Sequence, residues 1–162
     1  MKATVVIPTY NRAERLSELL ACLVTQGHVL ARVVVCDDGS SDHTAQVVRS
    51  FEDRLPLVYA WQENLGFRAG QARNLGIARS DGDVIIFVDD DVLVASDFVA
   101  RHVAAHAGAG KPRVAIGYRS RAFSSGKHPT PISWDEFADA EPDDRVADVG
   151  LEGEGIPTHA TS

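Results

Sequence analysis

The chain has 162 residues, 44% hydrophobic and 24% charged, with a net charge of −7. That length can bury one core, and the balance is that of a soluble globular protein, so wholesale disorder and collagen-like structure are excluded. Its two cysteines, Cys22 and Cys36, cannot build a disulfide scaffold and read as buried thiols in a reducing compartment.

Residues 3–7 are a largely β-branched run closed by Pro8 and read as a first strand. Asn11 is placed to cap the helix that follows, where Leu16, Leu19, Leu20 and Leu23 recur at helical spacing up to a stop at Gly27. Residues 33–36 form a second strand, ending abruptly at Asp37-Asp38-Gly39-Ser40-Ser41. Ala45, Val48 and Phe51 give residues 44–51 a helical pattern, and residues 57–61 are a third strand. A helix over 69–80 turns Ala72, Leu75 and Ile77 to the core, and residues 84–88 are a fourth strand running into Asp89-Asp90-Asp91. Ser96 caps a helix to about Ala107, stopped by Gly108 and Gly110, and residues 114–118 are a fifth strand.

Strands and helices alternate through residue 118, and the strands are continuous apolar runs. Both features predict an α/β domain over 1–118, a mostly parallel sheet with helices on both faces. Residues 119–162 read as an acidic, loosely structured extension. From residue 131 onward it holds nine acids (Asp135, Glu136, Asp139, Glu141, Asp143, Asp144, Asp148, Glu152 and Glu154) against Arg145 alone, so it carries −8 and the rest +1. Residues 133–138 can form one short helix with a Ser-x-x-Glu capping box. There is no clustered basic face for nucleic acid, no apolar run near the roughly 18 residues of a membrane span, and the opening run is too short for a secretion leader. A cytoplasmic location is the expectation.

Ligands of open α/β sheets bind outside the carboxyl ends of the strands. Three strands place notable groups there: Pro8, Thr9, Tyr10 and Asn11 after the first, Asp37 and Asp38 after the second, Asp89, Asp90 and Asp91 after the fourth. Each acid alone can equally be a turn former or helix cap. Five on one rim repel one another and call for something positive, and carboxylate oxygens suit Mg²⁺ or Mn²⁺ completed by phosphates and waters. The Gly-rich dinucleotide and P-loop signatures, zinc-ligand spacings and the serine-nucleophile elbow are all missing.

These segments resemble the inverting family-2 glycosyltransferases of the GT-A fold. Val5-Val6-Ile7-Pro8-Thr9-Tyr10-Asn11-Arg12 with Leu16, Leu20 and Gln26 looks like the family's opening. Val35-Cys36-Asp37-Asp38-Gly39-Ser40-Ser41-Asp42-x-Thr44 resembles its second signature. Glu63-Asn64-Leu65-Gly66-Phe67-x-x-Gly70-x-Ala72-Arg73-Asn74-x-Gly76 resembles the third, and Phe87-Val88-Asp89-Asp90-Asp91 its DxD motif. Four segments in order, over residues 3–118, make the resemblance specific.

The resemblance implies a nucleoside diphosphate sugar donor. It places Pro8, Thr9 and Tyr10 at the base pocket, although Tyr10 can also be a half-buried rim aromatic. Asp38 would accept a hydrogen bond from the base. Asp89 would approach the ribose or the metal, Asp91 would ligate Mg²⁺ or Mn²⁺ beside the diphosphate, and Asp90, the middle acid, can point elsewhere. Arg68 or Arg73 would approach the phosphates, with a salt-bridged role for Arg73 as the alternative. The implied reaction is a single displacement at the anomeric carbon, with a carboxylate deprotonating a sugar, lipid or peptide hydroxyl. The acceptor-binding half that supplies this base has no match here. Glu152 and Glu154 are weak candidates for the base, and His128 and His159 for a further metal ligand. The chain then reads as a fragment, a truncation or part of a split enzyme, completed by a missing segment or a homo-oligomer. Open alternatives are a nucleotide-sugar-binding module without turnover and, less favoured, a magnesium-dependent phosphatase or nucleotidyltransferase.

Overall fold

A computed structural model describes residues 1–110 and 113–117. Tyr118, the helix expected at 133–138, the acidic extension, and His128, Glu152, Glu154 and His159 lie outside the described residues. The elements in order are β1 (Ala3–Thr9), α1 (Ala13–Leu23), β2 (Leu30–Asp37), α2 (Thr44–Arg49), β3 (Leu57–Trp61), α3 (Ala69–Ile77), β4 (Val84–Phe87) and α4 (Phe98–His106), with a short 3-10 turn at Gly27–Val29. The four strands pair in parallel in the order β3-β2-β1-β4. The expected α/β architecture is present. The expected fifth strand is not, because residues 113–117 make no strand. Val114 and Ile116 there are 52% and 54% exposed, so no packed face rewards extended pairing.

Pro8 was expected to end β1 but lies inside it, paired with Cys36. A parallel strand alternates its hydrogen-bonding side from residue to residue. The Val6 carbonyl accepts from Val88 on the β4 side at 3.1 Å, and β4 pairs no further along β1 than Val6. The N–H that Pro8 lacks would point to that same side, where the ladder has already ended.

The register sends Val5, Ile7, Val33, Val35 and Ile86 to one face, buried against Leu16, Leu19, Leu20 and Leu23 of α1, Val48 of α2 and Val99 of α4. The other face buries Val6, Val34, Cys36 and Ala60 against Ala72 of α3. Helices therefore cover both faces, unequally. Burying a Val or Leu contributes about 1.5–3 kcal/mol, so the first face carries most of the apolar stabilisation. The second face depends on close approach. A Cβ on Gly76 would lie 2.3 Å from Val6 Cγ1 and 2.9 Å from Cys36 Sγ, so only glycine lets α3 sit this near the sheet. Both cysteines are buried and free, and burial pushes the Cys36 thiol up to about 11.

Two helix starts are capped from far along the chain. Asn11 does not cap α1. It takes the left-handed conformation (φ 51°), and its side-chain oxygen accepts from the Ser41 and Asp42 N–H groups at 2.8 and 3.3 Å. The cap comes from Asp42, whose carboxylate accepts from Ala13 N–H at 3.2 Å and from the Thr44 N–H and hydroxyl at 3.0 and 2.6 Å. One side chain thus serves the first turns of α1 and α2. Ser96 does not cap α4, which starts two residues later. Gln26 Oε1 accepts from Val99 N–H at 2.9 Å instead, and its Nε2 donates to the Ala95 carbonyl at 2.8 Å.

Gly76→Ala gains about 1 kcal/mol of helix propensity but meets an overpacking cost of about 1–3 kcal/mol. Chemical denaturation is expected to show a net loss of stability. Asp42→Ala is expected to cost about 1 kcal/mol or more at neutral pH. Burial pushes the Asp42 carboxyl up, but the bonds from Thr44 and Ala13 outweigh it and leave the group below its ordinary 3.8. Its contribution is therefore present above 3.8 and lost as pH falls through the lower folded value. Denaturation curves at descending pH should show the gap between wild type and Asp42→Ala narrowing in acid.

Candidate functional site

Strand order leads from β1 outward through β2 to β3, then back to the far side of β1 for β4. That reversal opens a crevice at the carboxyl ends of β1 and β4, where ligands of such sheets bind. The loops after β1, β2, β3 and β4 all reach this edge.

On the β4 side, Asp90 is 5% exposed. It accepts from the Thr9 hydroxyl at 2.8 Å and from Arg12 Nη1 at 3.3 Å. Burial pushes the Asp90 carboxyl up from its ordinary value, while Thr9 and Arg12 hold it down. The same Arg12 Nη1 donates to Asp91 at 2.8 Å, and Arg73 Nη2 donates to Asp89 at 2.8 Å. The side chains of Asp89 and Asp91 are 54% and 43% exposed, so these two face solvent while Asp90 turns inward.

On the β2 side, Asp37 is buried, accepting from Ser40 N–H at 2.8 Å and from the Tyr59 hydroxyl. Burial and this bond to Asp37 push the Tyr59 phenol up. Asp38 is 8% exposed and accepts from Gln62 Nε2 at 2.6 Å and from Arg68 N–H at 3.0 Å, with Arg68 Nη2 3.7 Å away. Arg68 also donates to Gln71 and to the Glu63 carbonyl, and its Nε is buried with no partner. Gly39 follows with φ +84°, and a Cβ there would lie 2.4 Å from Asn64 N, so the turn after β2 stacks directly on the loop after β3.

The structure therefore brings Thr9, Asp38, Asp89, Asp90, Asp91, Arg68 and Arg73 to one sheet edge. Asp38 N–H donates to the Thr9 carbonyl at 2.9 Å, which ties the β1 and β2 ends together. Pro8 is half-buried beside them and Tyr10 is 47% exposed on the rim. Among the described residues no three His, Cys, Asp or Glu side chains gather as a metal cluster. Arginines face four of the rim acids instead, Arg68 beside Asp38, Arg73 on Asp89 and Arg12 shared by Asp90 and Asp91, while Asp37 is held by Ser40 and Tyr59. Sequence reasoning missed Arg12 and Gln62 as partners of the acids. The available signal was position alone, since Gln62 directly follows a strand and Arg12 closes the first motif.

Residues 4–149 match the family described as Glycosyl transferase family 2. Validoxylamine A glucosyltransferase of Streptomyces hygroscopicus subsp. jinggangensis is 46% identical over 116 residues, covering 70% of this chain and 28% of that protein. The crystal structure of Staphylococcus aureus TarS 1-349 in complex with UDP-GlcNAc superposes with a TM-score of 0.60 at 30% identity, over 70% of this chain and 37% of that one. The mannosyltransferase PcManGT from Pyrobaculum calidifontis, in complex with GDP-Man and Mn²⁺, gives 0.57 at 31% identity, over 63% of this chain and 31% of that one. The chain thus spans less than a third of the validoxylamine A glucosyltransferase's length. No helix among the described residues is long and apolar enough to cross a membrane.

Tyr59→Phe removes a donor from the buried Asp37 carboxylate. An unmet buried acceptor costs about 1–3 kcal/mol, more when charged, so the variant is expected to lose at least that much in urea denaturation.

Proposed function

The chain belongs to glycosyl transferase family 2, and from that premise we propose that it binds a nucleoside diphosphate sugar together with a divalent cation. It would supply the donor side of an inverting transfer to a sugar, lipid or peptide hydroxyl. The observation that carries the reading is the pairing of Asp38 with Gln62 and Arg68 at the sheet edge. Asp38 is an oriented acceptor suited to a base N–H, and beside it the buried Arg68 Nε still lacks an acceptor, which a ligand oxygen would provide. The UDP-GlcNAc and GDP-Man complexes of the two structural relatives support the same ligand class.

The donor set fits a hard cation. Asp89 and Asp91 offer solvent-facing carboxylate oxygens, and Mg²⁺ or Mn²⁺ commonly takes only one or two protein carboxylates, completed by phosphates and waters. Asp91 and Asp89 would hold it. When bound, such an ion neutralises charge on the leaving diphosphate. Arg73, now on Asp89, would donate to a phosphate beside the cation that Asp89 helps to hold. Tyr10, exposed on the rim, offers a ring face to the base.

Transfer further needs a base within about 3 Å of the acceptor hydroxyl. Glu152 and Glu154 remain the candidates, and both lie outside the described residues. A second reading, donor binding without turnover unless another segment or partner completes the site, is favoured by the donor-side character of every group assembled on the described edge. A donor-consumption assay with acceptors present, hydrolysis subtracted, separates the two. Efficient acceptor-dependent turnover by this 162-residue chain would exclude the second reading.

Isothermal titration of UDP and GDP with and without Mn²⁺ tests donor binding. Mn²⁺ is expected to tighten binding, and Asp91→Ala to remove most of that gain. Asp38→Ala is expected to weaken binding about tenfold or more in either condition, the loss of a charge-assisted hydrogen bond. Absence of binding by the wild type to either nucleotide overturns the proposal.

A further inference from the structure

Two arginines neutralise the three consecutive acids after β4. Arg73 is on Asp89, and Arg12 is shared between Asp90 and Asp91. The sharing is unequal. Asp90 is buried and also accepts from Thr9, whereas Asp91 is half-exposed and Arg12 is the partner it is given. The guanidinium reaches both acids through one nitrogen, Nη1, so giving up Asp91 does not strand it. It stays against Asp90, whose buried charge still needs a cation. Its backbone is also fixed. Arg12 directly follows Asn11, whose left-handed turn is held by the Ser41 and Asp42 N–H groups, and its carbonyl accepts from Leu16 N–H at 2.9 Å. The charge is therefore delivered to the rim from a rigid base.

We propose that Arg12 is the resident cation of Asp91, occupying that carboxylate until a divalent ion displaces it and then remaining paired with Asp90. This rests on the donor-site reading above and adds a positioning residue to it. A carboxylate cannot offer the same oxygen fully to a guanidinium and to a metal, so Arg12 lowers the metal affinity of the nucleotide-free protein. Once displaced, its positive charge stays beside the crevice, where it adds to the field acting on an anionic ligand. The exchange makes metal loading conditional. A bare divalent ion must compete with Arg12, whereas one arriving with a diphosphate has the ligand's own oxygens to complete its shell.

The test uses Mn²⁺ alone, with free Mn²⁺ read by electron paramagnetic resonance and no nucleotide present. Failure of nucleotide binding therefore leaves this measurement readable. Arg12→Gln is expected to bind Mn²⁺ about fivefold tighter, the weight of one partly exposed ion pair. Because that change leaves Asp90 charged and short of a partner, Arg12→Gln/Asp90→Asn is measured beside it and should show the same gain. Arg15→Gln is the charge control, since Arg15 pairs with Glu18 and touches neither acid. It should leave the affinity unchanged. In the wild type, ¹⁵N-arginine spectra should show the Arg12 side-chain resonance shifting on Mg²⁺ addition while that of Arg15 stays in place. Equal or weaker Mn²⁺ binding in the Arg12 variants, an equal gain in Arg15→Gln, no Mn²⁺ binding by any protein in the millimolar range, or an unmoved Arg12 resonance overturns the proposal.

Discussion

A charged carboxylate stripped of water must find partners, and Asp90 finds Thr9 and Arg12. Leaving such a buried acceptor unmet costs about 1–3 kcal/mol, more when it is charged, which makes this meeting a strong constraint on the fold. Thr9 ends β1, Arg12 begins the turn into α1, and Asp90 follows β4. Meeting requires β4 to lie beside β1, on the side away from β2. The crevice, the outward aim of Asp89 and Asp91, and the arginines that face them all follow from that adjacency.

A second set of bonds holds the opposite wall. Asn11 binds the loop after β2, and Asp42 in that loop binds back to the start of α1. The turns after β1 and β2 therefore behave as one piece. Asp38 and Thr9 are set within it, and the Asp38 N–H closes it onto the Thr9 carbonyl. The third loop joins through Gln62 and Arg68, and Gly39 lets it stack without an intervening side chain.

Sequence and structure agree where the deciding physics is local. Residues 57–61 were readable as a strand because an apolar run and its turn flanks lie in one window, and β3 has those same bounds. The parallel sheet was readable from the apolar strands and intervening helices. The acids were legible as site residues because they directly follow such strands. Disagreement begins where a distant group decides. Asn11 has the right chemistry for a cap, but Asp42 takes that place from 29 residues away. Ser96 loses the same competition to Gln26, 73 residues from Val99. Pro8 stays in its strand because β4 stops short, a fact of register that no local window contains. Arg12 could be quoted as a motif letter, but its pairing with Asp90 and Asp91 exists only once strand order is set.

Strand order also sets a schedule. On the ribosome Thr9 precedes its partner Asp90 by 81 residues, which at about 5–20 residues per second is a wait of roughly 4–16 s. Through that interval β1, central in the finished sheet, is an edge strand with a row of unpaired backbone groups, the kind of surface on which nascent chains join to one another. Only when residues 84–87 emerge can β4 close it. The strand that delivers the acids is thus also the one that covers the open side of β1, leaving the shorter β4 as the edge.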